Sequence, residues 1–314
     1  MKIFLAGATG AVGKRLVPML VAAGHQVFAT TRTKDKVELL RAQGAEPVVV
    51  DGLDRDGLMK AVMAARPDAI VHHMTALASM KSLKRFDDEF AVTNRLRTEG
   101  TEHLLAAARA AGTRLFIAQS YTGWPNERRG GRVKTEEDPL DDNPPQAMSK
   151  TLAAIRALEQ MTVNASTVGV TGMVLRVGSF YGPGTSLGAG GEIVEAVRGR
   201  KFPLVGNGAG VWSFTHIDDV AAATRRALEH PVTGIFNIVD DEPAEVAEWL
   251  PDLASVVGAK RPFHVPTWVG RLAIGEVGVS MMTMIRGSSN AKAKRVLGWQ
   301  PIYATWRDGF RRAL

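Results

Sequence analysis

The N-terminal segment of the chain reads as a strand, a glycine-rich turn and a helix. An apolar run over Lys2–Ala6 leads into glycines 7, 10 and 13, an amphipathic pattern covers Val12–Ala23, and a second apolar run covers Gln26–Thr30. Glycines at this spacing allow close backbone approach to a pyrophosphate and leave N–H groups free at the positive end of a helix. The spacing alone is weak evidence, so the prediction of a dinucleotide site depends on the flanking strands and helix. The predicted members of the site are Gly7, Thr9, Gly10, Ala11, Val12 and Gly13.

The alternation of strands and helices continues through the first two-thirds of the chain. Further strands are predicted at Glu46–Val50, Ala69–His73, Arg114–Gln119, Gly172–Arg176 and Gly234–Val239. This pattern predicts an α/β fold with a Rossmann-like, doubly wound parallel sheet. After Phe180 the sequence becomes rich in Gly and Pro, and its C-terminal part reads as helices. We therefore expect a dinucleotide-binding domain over 1–180, to which 211–240 returns, and a smaller, mainly helical substrate lobe over 181–210 and 241–314.

Composition excludes several classes of site. The 314 residues include no cysteine, which rules out disulfides, thiol nucleophiles and zinc–thiolate centres. The first apolar run is too short for a signal peptide, and no stretch is long and apolar enough to cross a bilayer, so we expect a cytoplasmic protein without a membrane partner. The formal charge of +7 is spread along the chain, which argues against nucleic acid as a partner and leaves an acidic small molecule or a general compositional bias.

The residues after the second predicted strand bear on which dinucleotide is bound. An acidic residue there would accept a hydrogen bond from the ribose 2′-hydroxyl of NAD, but the run from Thr30 to Lys34 contains no carboxylate. Arg32 offers a guanidinium group for a 2′-phosphate, although it could also be a solvated loop residue. NADP is therefore the predicted cofactor, with NAD as second choice. Asp51, which follows the third strand, is either a partner of the adenine amine or a turn residue.

Motifs spread over nearly the whole chain resemble one known family. They comprise the glycine turn, Asp51, the fourth-strand ending at Val71–Ala76 with Thr75, Leu175-Arg176 before Tyr181-Gly182-Pro183-Gly184, Phe214-Thr215-His216 before Asp218-Asp219, and Leu297-Gly298-Trp299-Gln300-Pro301. In this order they resemble the extended short-chain dehydrogenase/reductase family of the NAD(P)-dependent epimerase/dehydratase type. The resemblance implies that Thr75 contacts the cofactor and that Asp218 and Asp219 cap a helix rather than bind a metal; no metal site is expected.

The family's chemistry depends on a Ser or Thr, a Tyr and a Lys. Ser120 matches the first and would orient the substrate oxygen, while Lys150 matches the last and would hold the nicotinamide ribose and lower the pKa of the Tyr. The Tyr is missing, because Gln146 stands four residues before Lys150 and cannot exchange a proton. Tyr121, next to Ser120, is either a relocated acid/base or an aromatic wall of the pocket.

Two further departures concern the neighbouring helix and the substrate. Arg97 stands where the family usually has an Asn, and Asn94, one turn earlier, is a candidate for that role. Trp212 stands where relatives that act on nucleotide sugars carry a phosphate-binding Arg, which favours a less charged, ring-containing substrate. Gln146 and Tyr181 are the other predicted substrate-side residues. Trp268, Met281, Met282 and Met284 could line an apolar pocket or form a helix core.

The sequence leaves three classes of function open. The preferred one is an NADP-dependent oxidoreductase or epimerase that acts on a carbonyl or secondary alcohol of a fairly apolar, non-nucleotide small molecule. The alternatives are a non-redox enzyme that retains the cofactor structurally for dehydration, cyclisation or hydrolysis, and a sensor of the NADPH level. A homodimer is compatible with the sequence.

Overall fold

The computed structural model describes residues 1–77 and 82–314. Its strands, in chain order, are β1 Lys2–Ala6, β2 Gln26–Thr31, β3 Glu46–Val49, β4 Ala69–His72, β5 Leu115–Tyr121, β6 Val133–Lys134, β7 Thr171–Val177, β8 Ser179–Tyr181, β9 Leu204–Val205, β10 Val211–Trp212, β11 Phe214–His216, β12 Gly234–Ile238, β13 Ala244–Glu245, β14 His264–Val265 and β15 Gly287–Ser288.

The α-helices are α1 Gly13–Ala22, α2 Val37–Ala42, α3 Arg55–Ala65, α4 Phe86–Glu89, α5 Ala91–Arg95, α6 Thr101–Ala111, α7 Ser149–Asn164, α8 Glu192–Arg198, α9 Ile217–Glu229, α10 Val246–Val256, α11 Thr267–Thr283, α12 Ala291–Leu297 and α13 Trp306–Ala313. A π-helical turn at Leu96–Gly100 joins α5 to α6, and short 3₁₀ turns include Gln146–Met148, which leads into α7.

The seven strands predicted from the apolar runs form one sheet. Their order is β12-β7-β5-β4-β1-β2-β3, and every neighbouring pair is parallel. The chain starts in the middle with β1, winds outward through β2 and β3, and then crosses back so that β4 lies on the other side of β1. This reversal leaves a crevice at the carboxyl ends of β1 and β4, where open α/β sheets bind their ligands. The predicted Rossmann-like fold is confirmed.

Side-chain alternation along the strands divides the core into two layers. Ile3 and Leu5 of β1 pack with α1 and α9 on one face, whereas Phe4 and Ala6 pack with α3, α6 and α7 on the other. Helix α9 and strand β12 come from the segment predicted to return to this domain. The parallel strands are buried on both faces, which explains why they read as continuous apolar runs in the sequence.

A second core lies in the C-terminal part of the chain. Phe214, Trp249, Trp306 and Phe310 are buried together, and α10 supplies the largest share of the other buried residues of this cluster. Helix α11 is interrupted at Gly275, whose φ of 73° lies in the left-handed region that favours glycine. The helical character of this part agrees with the sequence. The residue boundary between the two lobes stays a prediction.

One close contact in the sheet gives a direct test of the fold. A methyl group on Gly172 of β7 would lie 1.7 Å from the carbonyl oxygen of Thr162 in α7. Gly172→Ala must therefore push α7 off the sheet, and we expect the free energy of unfolding to fall by about 3 kcal/mol in urea denaturation. Gly131→Ala is the control, because its methyl would meet nothing closer than 3.6 Å. Equal stability of the two variants would contradict this packing.

Candidate active site

The glycine turn lies directly on the end of β4. Gly7 has a φ of 100°, and a Cβ there would lie 2.7 Å from the carbonyl carbon and oxygen of His73. A Cβ on Gly13 would lie 2.4 Å from the carbonyl oxygens of Gly7 and Ala8. The two glycines thus let the turn fold tightly against β4 and against its own backbone.

The outer side of the same turn is open and rich in hydrogen-bond donors. Gly10 and Ala11 are exposed, and among the described residues the amides of Ala11 and Val12 have no hydrogen-bond acceptor. Because α1 begins at Gly13, these free N–H groups lie at its positive end, where an anion is stabilised. This geometry fits a dinucleotide pyrophosphate.

The three other predicted cofactor residues lie in loops after neighbouring strands. Arg32, directly after β2, is exposed and has no ion-pair partner in the described part of the chain. Asp51 accepts a hydrogen bond from the amide of Leu53 at 2.8 Å, which is the turn role weighed for it. Thr75 is exposed and lies two residues after His73, whose carbonyl packs on Gly7. Their contacts with a cofactor stay predictions.

Adjacent residues at the end of β5 face opposite sides of the sheet. The hydroxyl of Ser120 is buried and donates to the Glu159 carboxylate on α7 at 2.7 Å. That carboxylate also receives two hydrogen bonds from Arg176 of β7, at 2.7 and 2.6 Å. The Ser120 hydroxyl is thus held by a buried ion pair, and Ser120 is not among the residues that line the pocket beside Tyr121; its assignment to the substrate oxygen stays a prediction that this contact does not favour.

Tyr121, the residue after Ser120, lines a cavity at the end of β5. Its hydroxyl is 2.9 Å from that of Ser179, and both residues line a narrow cavity together with Trp124, Trp212 and Met281. Burial raises the pKa of Tyr121, while the hydrogen bond from Ser179 and the positive charge of Arg97 act to lower it. Ser179 was missed in the sequence, where it is a single Ser within the Leu175–Tyr181 motif.

Of the two predicted residues at or just before the start of α7, Gln146 lies by a second, open cleft and Lys150 is exposed. Gln146 lines this cleft of about 520 Å³ with Lys84, Gly275 and Val277. Lys150 is exposed; its amide donates to Asp87 at 3.0 Å, and its ammonium group has no partner among the described residues. Both openings border α11: Val277 lines the open cleft and Met281, one turn later, lines the narrow cavity.

Arg97 is a buried cation close to the narrow cavity. It is 7% exposed, its guanidinium lies 5.6 Å from the Phe90 ring centroid, and its one hydrogen bond among the described residues is a long one of 3.4 Å to the side-chain oxygen of Asn94. Burial lowers the pKa of Arg97 to about 10, against the opposing effects of Glu159 and Tyr121. Arg97 lies in the π-helical turn, an irregularity that is frequent at functional sites.

The side-chain amide of Asn94 makes a hydrogen bond between two helices. Its side-chain amide donates to the Thr151 hydroxyl at 3.0 Å, and Thr151 in turn donates to Asp87 at 2.6 Å. Asn94 thereby links α5 to α7 and supports the start of the helix that carries Lys150.

Of two further predicted substrate-side residues, Tyr181 is buried in the core and Trp212 lines the narrow cavity. Tyr181 is fully buried against His216, Tyr303 and Phe310, and burial raises its pKa. It lines neither of the two cavities described, and its assignment to the substrate side stays a prediction. Trp212 lines the narrow cavity, where its indole N–H donates to the Met281 carbonyl at 2.9 Å.

Four apolar residues of the C-terminal part were weighed as the lining of a pocket. Met281 lines the narrow cavity, Met282 is buried in the core, and Trp268 and Met284 are exposed.

The described residues contain no group of three or more His, Asp or Glu side chains placed to hold a metal ion. None of the helices described is long and apolar enough to cross a membrane.

Similarity to known proteins agrees with the geometry of the turn and sheet. Residues 3–239 match the model of the NAD dependent epimerase/dehydratase family. The chain belongs to that family. It is therefore an enzyme of the short-chain dehydrogenase type, and its cofactor is a nicotinamide dinucleotide.

Two curated relatives and one solved structure show the range of this similarity. The chain is 41% identical to a 3-diazoavenalumate denitrifying reductase from a Streptomyces species, over 99% of this chain and 100% of the relative. It is 26% identical to a 4-hydroxy-2-methyl-3-oxo-4-farnesyl-3,4-dihydroquinoline-1-oxide ketoreductase from Stigmatella aurantiaca, over 94% and 85% of the two chains. UDP-glucose 4-epimerase from Thermotoga maritima superposes with a TM-score of 0.79 at 22% identity and covers 100% and 97% of the two chains.

The histidines at the end of β4 allow a test of this edge of the sheet. His72 is buried with Nε2 3.1 Å from the Leu96 carbonyl and with Nδ1 accepting from the Met74 amide at 3.2 Å, so only the neutral ring satisfies both contacts. Burial lowers the pKa of His72 to about 4 from 6.5. The unfolded chain therefore binds the proton more readily, and stability that is present above pH 6.5 is lost as the pH falls toward 4.

We expect His72 to account for about 2 kcal/mol of lost unfolding free energy between pH 7 and pH 5. Urea denaturation of the wild type and of His72→Asn at both pH values measures this difference. The variant should lose less stability on acidification. An equal loss in the two proteins would show that His72 is not the group responsible.

Proposed function

We propose that the protein is an NADP-dependent reductase of a planar, fairly apolar small molecule that carries no nucleotide. The observation on which this proposal depends is the uncharged, aromatic lining of the narrow cavity beside Tyr121. Its volume of about 20 Å³ is room for one water-sized group, so the reacting group would enter the cavity and the ring would lie at its mouth. The lining residues are Tyr121, Thr122, Gly123, Trp124, Ser179, Trp212, Ser213, Met281 and Ile285, and none of them is charged. A nucleotide diphosphate needs cationic partners, whereas two indoles and a thioether favour contact with an aromatic ring.

The preferred reaction is reduction of a carbonyl group to a secondary alcohol, and epimerisation through such an intermediate uses the same groups. The bound dinucleotide would supply a hydride to the carbonyl carbon. Tyr121 donates the proton that the carbonyl oxygen takes up, so that one hydride and one proton yield the alcohol. Lys150, whose ammonium group has no partner among the described residues, holds the cofactor ribose. The reductase names among the relatives favour this redox class over a non-redox enzyme or a sensor.

Arg32 supports NADP as the dinucleotide. Its exposed guanidinium follows β2 and has no described carboxylate partner, so it is free to pair with a 2′-phosphate. We expect Arg32→Ala to weaken NADPH binding roughly tenfold to a hundredfold and NADH binding less than about twofold, as measured by fluorescence titration. Arg41→Ala removes the same charge from an exposed pair with Glu38 and serves as control. Equal weakening for both dinucleotides would contradict NADP selectivity.

A second candidate reaction is the reductive removal of dinitrogen from an aromatic diazo compound. The observation that favours it is the 41% identity to a relative named for the denitrifying reduction of a diazo compound. In the diazonium form, hydride forms the new C–H bond while the electron pair of the C–N bond leaves with N₂, so no proton is required. A site with Gln146 in place of the usual Tyr is compatible with that chemistry.

Deuterium transfer distinguishes the two reactions. The enzyme is incubated with NADPH deuterated at C4 and with panels of aryl ketones, quinones and arenediazonium salts, and the products are analysed by mass spectrometry. Carbonyl reduction places deuterium on a carbinol carbon, and denitrification places it on a ring carbon with release of N₂. Tyr121→Phe should slow carbonyl reduction about a hundredfold or more and leave denitrification within a fewfold. Deuterium in neither product would refute the proposed function.

Cytoplasmic location, a homodimer and the assignment of Lys150 to the cofactor ribose stay predictions.

A further inference from the structure

Tyr121 is not alone at the end of the narrow cavity. Its hydroxyl and that of Ser179 are 2.9 Å apart, and both residues line the cavity. Ser179 is fixed in β8, where its amide donates to the Ser213 carbonyl at 2.8 Å. A hydroxyl held in this way can accept from or donate to the phenol, because each group carries one proton and two lone pairs.

The buried charges around Tyr121 do not cancel. Arg97 and Arg176 are both buried cations, and Glu159 is the buried carboxylate whose charge acts on Arg97. Glu159 makes a bidentate ion pair with Arg176 and also accepts a hydrogen bond from the Ser120 hydroxyl. Among the described residues, Arg97 is left with a long hydrogen bond to Asn94 and the face of the Phe90 ring.

An unmatched buried guanidinium is costly unless an anion forms near it. In the part of the chain that the structure describes, the charged groups on the elements around Tyr121 are Arg97 from the π-helical turn, Glu159 from α7 and Arg176 from β7; Ser179 and Met281 contribute no charge. Glu159 and Arg176 pair with each other, and of the charges around Tyr121 it is that of Arg97 that acts on its hydroxyl. A phenolate at Tyr121 is the anion that this arrangement would stabilise.

We propose that Ser179 and Arg97 complete the proton-donating group of Tyr121, and that the three residues replace the family's missing tyrosine. Tyr121 gives its proton to the substrate oxygen, Ser179 passes a proton back to the phenolate from solvent, and Arg97 stabilises the phenolate between the two transfers. Arg97 and Ser179 are positioning residues that act through Tyr121. The inference rests on the proposed reductase function, in which Tyr121 is the acid.

The chain has three tyrosines, so the ionisation of Tyr121 can be observed directly. Protein labelled with ¹³C at the tyrosine ζ carbon and saturated with NADP⁺ is titrated by NMR from neutral to alkaline pH, and Tyr121→Phe identifies the signal. We expect Arg97→Met to reduce the phenolate fraction of Tyr121 at a given alkaline pH by roughly tenfold, and Arg97→Lys to restore most of it.

The matched control is Arg95→Met, which removes a charge from the exposed Arg95–Glu99 pair on the preceding turn and should leave the titration unchanged. Ser179→Ala should shift the Tyr121 signal and move the alkaline limb of the pH profile of carbonyl reduction. The Tyr303 signal and NADPH affinity report folding in each variant. If Arg97→Met is unfolded, Arg97→Gln, which removes the charge but keeps a polar side chain, takes its place.

An unchanged Tyr121 titration in folded Arg97→Met, or the same titration in Arg97→Met and Arg95→Met, would overturn the role of Arg97. An unaltered Tyr121 signal together with an unaltered pH profile in Ser179→Ala would overturn the role of Ser179. The titration needs no substrate, so it is independent of the deuterium experiment. A shifted titration without any reductase activity would refute the proposed function and leave the electrostatic coupling intact.

Discussion

The buried ion pair between Arg176 and Glu159 determines how the carboxyl ends of β5 and β7 are arranged. It joins β7 to α7 through two short hydrogen bonds, and breaking such a pair typically costs about 3–5 kcal/mol because one charge is left buried alone. Because Glu159 also accepts from Ser120, the pair fixes that hydroxyl on the α7 side of β5. The neighbouring Tyr121 must then face the other side. The same pair uses the carboxylate that could otherwise have neutralised Arg97.

Much of the fold could be predicted because parallel strands buried on both faces leave a simple pattern. All seven strands of the sheet were predicted, and β1 has the predicted limits. The strands at the carboxyl edge were less well bounded, since β5 continues to Tyr121, beyond the apolar run. The break of α11 at Gly275 was not predicted, because a single glycine inside a helical pattern is usually tolerated.

The site was harder to predict because it depends on which side of a strand each residue faces. Ser120 and Tyr121 were both assigned to the pocket, although adjacent strand residues point to opposite faces, and this alternation was a signal that the sequence did contain. The burial of Tyr181, by contrast, could not be predicted from strand alternation. Its burial follows from the pairing of β8 with β11 and from the packing of α13, which are long-range contacts without a local pattern. The pairing of Ser179 with Tyr121 likewise became visible only in three dimensions.

Two residues depart from the family pattern, Gln146 and Trp212. Both departures are consistent with one change, namely that the proposed proton donor is Tyr121 rather than a tyrosine at position 146. Gln146 lies in an open cleft, where a proton donor would be exposed to water, whereas Tyr121 lies in a narrow cavity enclosed by Trp124 and Trp212. In the proposed function the proton donor stands at the end of β5 instead of at the start of α7, beside aromatic side chains. Such side chains favour contact with a flat ring at the mouth of the cavity, while a nucleotide diphosphate would lose hydration there without gaining a cation. One physical change would then explain why both the usual Tyr and the phosphate-binding Arg are missing. An open, charged site has been replaced by a narrow, uncharged and aromatic one.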